Sequence, residues 1–170
     1  MGQSELLLTT RSEEETGALG RLLGSLIYRP LVVALEGELG AGKTVFVRGA
    51  AAGLGVRSQV SSPTFVLMKI YKGRLPLYHF DFYRLAEDEE LDELGFDEYL
   101  PGDGVAFIEW GDRFPAILPA EFLQVKIERV YDNQGEGRCF RFIPKGPEAT
   151  KIIDNLQQKV TRQADDTLNI

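Results

Sequence analysis

The segment Gly37–Thr44, which reads GELGAGKT, constrains the fold of this chain more than any other feature. It matches the pattern G-x-x-x-x-G-K-[ST] without a mismatch. The glycine backbone of such a loop passes close to a phosphate group and turns its N–H groups toward it. Lys43 would place its ammonium on the β- and γ-phosphate oxygens, and Thr44 would give its hydroxyl to Mg²⁺. The segment therefore predicts a phosphate-binding loop.

The residues on either side of this loop have the expected character. Leu31–Leu35 (LVVAL) is continuously apolar, which is typical of a strand buried on both faces of a sheet. A helix is predicted from about Lys43 to Gly53 or Gly55, and the positive end of its dipole would point at the phosphates. We therefore expect a site for ATP and Mg²⁺ that includes Glu38, Leu39, Gly40, Ala41, Gly42, Lys43 and Thr44.

The patterns along residues 1–143 predict one three-layer α/β domain, P-loop NTPase-like, with a mixed, mainly parallel central sheet. Ser12 and Glu15 have the spacing of a capping box, and leucines at helical intervals follow. Residues 144–170 are predicted to form a polar tail, either helical or disordered. The other predicted elements are strands Val66–Tyr71, Leu77–Phe82 and Val105–Ile108, an acidic helix Glu87–Leu100, and a hairpin of Phe122–Val130 with Arg138–Ile143.

Composition disfavours several classes of protein. The formal net charge is −7, whereas proteins that grip nucleic acid usually present a basic face, so we do not expect this chain to hold RNA or DNA tightly by itself. Its single cysteine, Cys139, rules out an intrachain disulfide. The sequence shows no long apolar run and no secretory signal at its start, so we expect a cytoplasmic protein without a membrane span.

Two acids, Asp81 and Glu109, lie where apolar strands are predicted to end. A P-loop ATPase needs a carboxylate near Mg²⁺ and a group that orients the attacking water, and spacing alone assigns neither role. His79 would share a strand face with Asp81. The loop Ser61–Thr64 offers hydroxyls that could approach the γ-phosphate, although such a sequence is more often a simple turn. Trp110 is either core or a lid, and the residues alone favour core.

The order of these segments resembles one known family. GELGAGKT is followed by SSPTF, YHFDFYRL, the acidic ELDELGFDEYL and FIEWGDRF, and this succession over roughly residues 5–143 is similar to the TsaE family, also called YjeE. Members of that family are the bacterial ATPases of tRNA threonylcarbamoyladenosine biosynthesis. The resemblance implies a P-loop ATPase with weak intrinsic turnover that assists a complex of two paralogous proteins, TsaD and TsaB, and reaches tRNA only through them.

The resemblance also implies roles for individual residues. Thr44 and Glu109 resemble the Mg²⁺ ligands of the family, and Asp81 resembles its water-positioning acid. Trp110 becomes a residue of the nucleotide site rather than of the core. The other residues implied are the catalytic Lys43, the switch hydroxyl of Thr64 and, around the base, Ser12, Glu13, Gly137 and Arg138.

Two other functions remain open at this stage. A small-molecule P-loop kinase usually has an acceptor-binding insertion and an arginine-bearing lid, whereas the insertions here are short and the arginines are scattered. A non-catalytic module would bind ATP and dock on a partner, with the acidic segment 87–98 as one candidate docking surface. Transfer of phosphate to an acceptor rather than to water would identify the kinase.

Overall fold

The computed structural model describes residues 4–63, 66–87, 89–93, 95–100 and 102–168. Within those ranges, no helix is both long and apolar enough to cross a membrane. The strands are β1 (Leu6–Thr10), β2 (Leu31–Gly37), β3 (Met68–Tyr71), β4 (Leu77–Asp81), β5 (Val105–Glu109), β6 (Phe122–Asp132) and β7 (Gly135–Lys145). The helices are α1 (Glu13–Ser25), α2 (Lys43–Gly53), α3 (Glu89–Glu93) and α4 (Pro147–Leu168), and short 3-10 turns cover Phe96–Glu98, Gly111–Arg113 and Pro115–Ile117.

The strands form one mixed sheet in the order β1-β7-β6-β2-β5-β4-β3. The central neighbours β6, β2, β5 and β4 are parallel, whereas the pairs at both margins are antiparallel. Strand β2 lies in the middle, and its first five residues are all buried, as the continuous apolar run predicts. The predicted mixed sheet is confirmed, and its parallel pairings are confined to the centre.

Two apolar clusters lie on opposite faces of this sheet. One is covered by α1, α2 and α4 and includes Leu23, Phe46 and Leu156. The other is covered by α3 and the 3-10 turns, and in it the rings of Phe80 and Phe96 meet edge to face with centroids 4.8 Å apart. The domain therefore has the three layers expected of this fold class, although the second covering layer consists of short helices.

Helices α1 and α2 approach each other through glycines. A Cβ atom on Gly20 would lie 2.2 Å from the carbonyl oxygen of Phe46, and one on Gly24 would lie 2.1 Å from the carbonyl oxygen of Ala50. A side chain at either position would therefore push the two helices apart. The contact is important for the site because it holds the first turn of α1, whose N-cap is Ser12, beside the phosphate-binding loop.

The acidic segment 87–98 is not the single helix that was predicted. Helix α3 covers only Glu89–Glu93, and Gly95 then adopts a left-handed φ of +65°, a conformation that ends helices. Leu91 and Phe96 are buried in the second apolar cluster. The segment is therefore part of a covering layer, and the carboxylates that it exposes include those of Glu89, Asp92 and Glu93.

The C-terminal segment is helical, one of the two predicted forms, but it is not a separate tail. Strand β7 runs to Lys145, so the boundary placed after residue 143 falls inside a strand. Helix α4 follows, and Ile152, Ile153 and Leu156 are buried against the rest of the domain. These apolar residues are few but lie at helical spacing, so they form one buried stripe on an otherwise polar helix. Residues 144–168 therefore pack on the same core as the rest of the chain.

Candidate functional site

The phosphate-binding loop connects β2 to α2 at the carboxyl end of the central parallel strands. Gly40 and Gly42 have φ angles of +78° and +107°, which residues with a side chain rarely adopt. Gly42 is also the N-cap of α2, so the unpaired N–H groups of the first helical turn face the loop. The backbone thus requires glycine at these motif positions, and the loop has the form that surrounds a phosphate.

Lys43 is bonded to its own loop and lies over the ring of Trp110. Its Nζ donates to the carbonyl oxygens of Gly37 at 2.7 Å and Glu38 at 2.8 Å, and it lies 4.1 Å from the centroid of the Trp110 ring. Burial lowers the pKa of the Lys43 ammonium from its ordinary value, although the negative charge of Glu109 opposes that shift. The ammonium is held by neutral carbonyls, which phosphate oxygens could replace with stronger, charge-assisted hydrogen bonds.

Thr44 and Glu109 are in direct contact. The Thr44 hydroxyl donates to the Glu109 carboxylate, with Oγ1 2.9 Å from Oε1 and 3.2 Å from Oε2. Glu109 ends β5, the neighbour of β2, and is only 3% exposed. Protein sites usually bind Mg²⁺ through one or two carboxylates together with the oxygens of a substrate phosphate. The oxygen donors present here therefore fit Mg²⁺.

Asp81 lies on the adjacent strand in register with Glu109. Its Oδ1 accepts a hydrogen bond from the backbone N–H of Tyr83 at 2.9 Å, and its Oδ2 lies 3.5 Å from the hydroxyl of Ser62. His79 lies on the same face of β4 as Asp81, as expected, and its imidazole contacts Glu109 on the neighbouring strand, with Nε2 2.6 Å from Oε2. The two acids therefore differ in their surroundings: Glu109 contacts Thr44, whereas Asp81 lies beside Ser61–Pro63, called here the Ser62 loop.

The cavity above the loop, called here the phosphate cavity, brings these groups together. Its lining includes Lys43, Thr44, Asp81, Glu109 and Trp110. The tryptophan has a left-handed φ of 62°, which is unusual for a bulky residue and typical of functional sites. Its ring also lies 5.1 Å from that of Tyr83, centroid to centroid.

Trp110 lines the cavity wall, and its partly buried side chain also packs against the second apolar cluster, so the interpretation as core that the residues alone favour holds in part. The family resemblance, and no local sequence pattern, indicated that Trp110 would lie at this cavity. Thr64, predicted to supply a switch hydroxyl, lies outside the described residues.

A second cavity of about 220 Å³, called here the nucleoside cavity, adjoins the first. The two share Glu13, Gly40, Gly42 and Val45. Arg138 approaches the loop from β7, and its Nε donates to the carbonyl oxygen of Ala41 at 3.2 Å. The four residues that the resemblance placed around the base all line this cavity: Ser12, Glu13, Gly137 and Arg138.

Several lining residues of the nucleoside cavity were not anticipated. The hydroxyls of Thr10 and Thr16 are 2.7 Å apart and buried. Arg11 lines the cavity and forms an ion pair with Asp132 at 2.6 Å, which lowers the pKa of that carboxyl. No short motif marks these residues, because β1, α1 and the β6–β7 hairpin are brought together only by the sheet order.

Comparison with known proteins finds a family model and several relatives that match most of this chain. The family model described as "Threonylcarbamoyl adenosine biosynthesis protein TsaE" matches residues 10–138. A Treponema pallidum protein with the name tRNA threonylcarbamoyladenosine biosynthesis protein TsaE is 42% identical over 127 residues, which span 75% of this chain and 94% of that protein. A Bacillus subtilis protein of the same name is 44% identical over 133 residues, which span 78% of this chain and 83% of the relative.

One solved structure matches nearly the whole chain. The crystal structure of Bacillus subtilis YdiB superposes with a TM-score of 0.78 at 36% sequence identity. The match covers 92% of this chain and 96% of that one. It extends well past the residues matched by the family model and confirms the predicted fold class.

Proposed function

The chain belongs to the TsaE family, and we propose that it binds one Mg·ATP across the two cavities and hydrolyses it during formation of threonylcarbamoyladenosine in tRNA. The observation that carries this proposal is the convergence of Lys43, Thr44, Asp81 and Glu109 on one cavity that opens into a second. A nucleoside in the second cavity would direct its phosphates over Gly40 and into the first. The site thus has a place for every part of the proposed ligand.

Lys43 binds the β- and γ-phosphate oxygens in this proposal. To do so, its ammonium leaves the carbonyl oxygens of Gly37 and Glu38, to which it is bonded at 2.7 and 2.8 Å. The exchange is favourable because anionic oxygens are stronger acceptors than neutral carbonyls. Trp110 covers the ammonium and shields it from water.

Thr44 and Glu109 would hold Mg²⁺, which when bound neutralises charge that develops on the phosphate oxygens. Asp81 would accept a hydrogen bond from a water molecule and aim its oxygen at the γ-phosphorus. The bond from that water oxygen to the γ-phosphorus would form as the bond between that phosphorus and the bridging oxygen of ADP breaks, and a proton of the water would pass to an oxygen of the released phosphate. Asp81 is suited to this role because it is buried, lines the cavity and ends the strand next to that of Glu109.

We further propose that the chain acts in the cytoplasm with TsaB and TsaD and meets tRNA only through them. The formal charge of −7 supports this indirect role, since a protein that holds tRNA alone would need a basic face. The exposed carboxylates of α3, from Glu89, Asp92 and Glu93, are one candidate surface for that contact. Partner binding would close the Ser62 loop over the γ-phosphate and exclude water, which strengthens electrostatic contacts in the site.

Steady-state phosphate release, with and without the TsaB–TsaD pair, tests this proposal. We expect slow turnover alone and faster turnover with the pair. A variant with Glu89, Asp92 and Glu93 changed to lysine should lose the stimulation. The matched control changes Asp154, Asp165 and Asp166, which are exposed on α4, to lysine. It changes the net charge by the same amount but leaves α3 intact, so it should retain the stimulation.

Four outcomes would count against parts of the proposal. Wild-type turnover that the pair leaves unchanged would contradict the partnership. Stimulation that survives in the α3 variant would remove only the docking surface. Transfer of the γ-phosphate to a small-molecule acceptor, at a rate above release to water, would identify a kinase instead. Mg·ATP binding with no hydrolysis under either condition would favour a nucleotide-gated binding module.

A further inference from the structure

The imidazole of His79 is buried beside the proposed metal ligands but has no part in the mechanism above. It lies on β4, paired in register with Phe107 on β5, and it has no exposed surface. Its Nε2 is 2.6 Å from Oε2 of Glu109. Its Nδ1 has no hydrogen-bond partner among the residues that the structure describes.

The contact with Glu109 determines which ring nitrogen of His79 donates a hydrogen bond. An ionised carboxylate can only accept hydrogen bonds, so the contact with Glu109 requires the hydrogen on Nε2 of His79. Nδ1 is then a polar atom without a partner in the protein interior, which is unfavourable. An apolar side chain would fill the same space without that cost. The hydrogen bond to Glu109 is therefore the feature that distinguishes histidine at this position from an ordinary core residue.

The carboxylate of Glu109 is thus held from two sides. Oε1 faces the Thr44 hydroxyl at 2.9 Å, and Oε2 faces His79 at 2.6 Å. Thr44 would share its hydroxyl oxygen with Mg²⁺, so its position depends on the metal. His79 is fixed by the sheet and by its complete burial, and its position does not depend on a ligand.

We propose that His79 is a positioning residue whose Nε2–H fixes the Glu109 carboxylate, so that Oε1 faces Thr44 and the place of the metal. This inference rests on the proposed function, because it assigns the support of a Mg²⁺ ligand. Outer groups that orient metal ligands commonly change metal affinity by about 10- to 100-fold when they are removed. Loss of His79 should therefore change how nucleotide affinity depends on Mg²⁺ concentration and should leave the affinity measured without Mg²⁺ nearly unchanged.

The test uses a fluorescent ATP analogue and measures its affinity in EDTA and over a series of Mg²⁺ concentrations. His79→Leu should raise the Mg²⁺ concentration for half-maximal enhancement by about 10-fold or more. Its affinity in EDTA should stay within about two-fold of wild type, since Lys43 and the loop are unchanged. His79→Gln, whose amide can reach the place of Nε2, should recover most of the Mg²⁺ response, and the shorter His79→Asn should not.

The control is Phe107→Leu, which reduces packing beside His79 and removes no polar group. An equal shift of the Mg²⁺ response in this control would overturn the proposal, because a packing defect would then suffice. A wild-type response in His79→Leu, or an equal loss of affinity with and without Mg²⁺, would overturn it too.

If His79→Leu does not fold, the contrast between His79→Gln and His79→Asn decides, and equal responses of those two variants contradict the assignment. A wild type that binds the nucleotide without any Mg²⁺ effect would overturn the metal site itself, and the wild-type curve alone identifies that failure.

Discussion

The phosphate cavity and the nucleoside cavity meet at Gly40 and Gly42 but are built differently. The first takes Asp81 and Glu109 from the ends of two adjacent parallel strands and Lys43 from the start of α2, and all three are buried. The second takes its lining from β1, the start of α1 and β7, which lie toward one margin of the sheet. Its ion pairs, such as Arg138 with Glu136 at 2.8 Å, are partly open to solvent.

Because of this difference, charged groups should contribute more binding free energy in the phosphate cavity than in the nucleoside cavity. Buried charges with fixed partners interact strongly, because little solvent screens them. Exposed ion pairs contribute little, typically about 0–1 kcal/mol. Substitutions in the phosphate cavity should therefore have large and specific effects, whereas single substitutions in the nucleoside cavity should weaken ATP binding only modestly.

The largest effect is expected from Asp81→Asn. Loss of a positioned catalytic carboxylate costs about 10²–10⁴ in rate, and nucleotide affinity should be nearly unchanged because the group acts mainly in the transition state. Phosphate release and calorimetric titration measure the two quantities. Asp154→Asn, an exposed change of the same chemistry on α4, should behave as wild type. If Asp81→Asn lost Mg²⁺ dependence instead, the roles of the two acids would be reversed.

Glu109→Ala should have the next largest effect, and on a different quantity. It removes a proposed metal ligand and leaves the Thr44 hydroxyl without its carboxylate partner. We expect the enhancement of ATP affinity by Mg²⁺ to fall by about 10-fold or more, with affinity in EDTA retained. Titrations with and without Mg²⁺ measure this directly. Undiminished Mg²⁺ enhancement would exclude Glu109 as a ligand.

Gly20→Ala tests how the nucleoside cavity is assembled. Its Cβ would lie 2.2 Å from the carbonyl oxygen of Phe46, so α1 must move away from α2. Overpacking of this kind costs about 1–3 kcal/mol of the free energy of unfolding, measured by chemical denaturation. ATP affinity should also fall, because the first turn of α1 lines the nucleoside cavity.

Gly17→Ala is the matched control in the same helix. Nothing lies within 4 Å of a Cβ at that position, so it should leave ATP affinity unchanged and raise stability by up to about 1 kcal/mol. Equal stability of the two variants would show that the close approach of α1 and α2 is not a constraint.

Arg138→Ala should have the smallest effect of the series. It removes the hydrogen bond to Ala41 and an exposed ion pair, and we expect at most about a five-fold loss of ATP affinity. Binding of inorganic tripolyphosphate should be unchanged. Arg141→Ala, three residues along β7 and outside the cavity lining, is the control for charge. A loss as large as that of a phosphate-cavity variant would contradict the distinction between the two cavities.

The two cavities also differ in how far their residues can be predicted from the sequence. The loop is a contiguous motif whose glycines are required by local backbone geometry. Asp81 and Glu109 each end an apolar run that is typical of a buried strand. Both the loop and the two acids can therefore be predicted from short stretches of sequence. Thr10, Arg11 and Thr16 carry no such pattern, because only the marginal strand order brings them to the site. Gly95 broke the predicted acidic helix, because a left-handed residue outweighs the helix propensity of its neighbours. Helix α4 was underestimated because a stripe of four buried residues, Ala149, Ile152, Ile153 and Leu156, suffices to fix a helix whose other faces are polar.

The central claim is that one Mg·ATP spans both cavities, and calorimetric titration with Mg·ATP and with Mg·tripolyphosphate tests it most directly. The wild type should bind one ATP per chain, more tightly than tripolyphosphate, because only ATP fills the nucleoside cavity. Lys43→Ala should weaken both ligands by roughly 10- to 100-fold, the range for hydrogen bonds to charged groups. Equal affinity of the wild type for the two ligands, or undiminished affinity of Lys43→Ala for both, would contradict the claim.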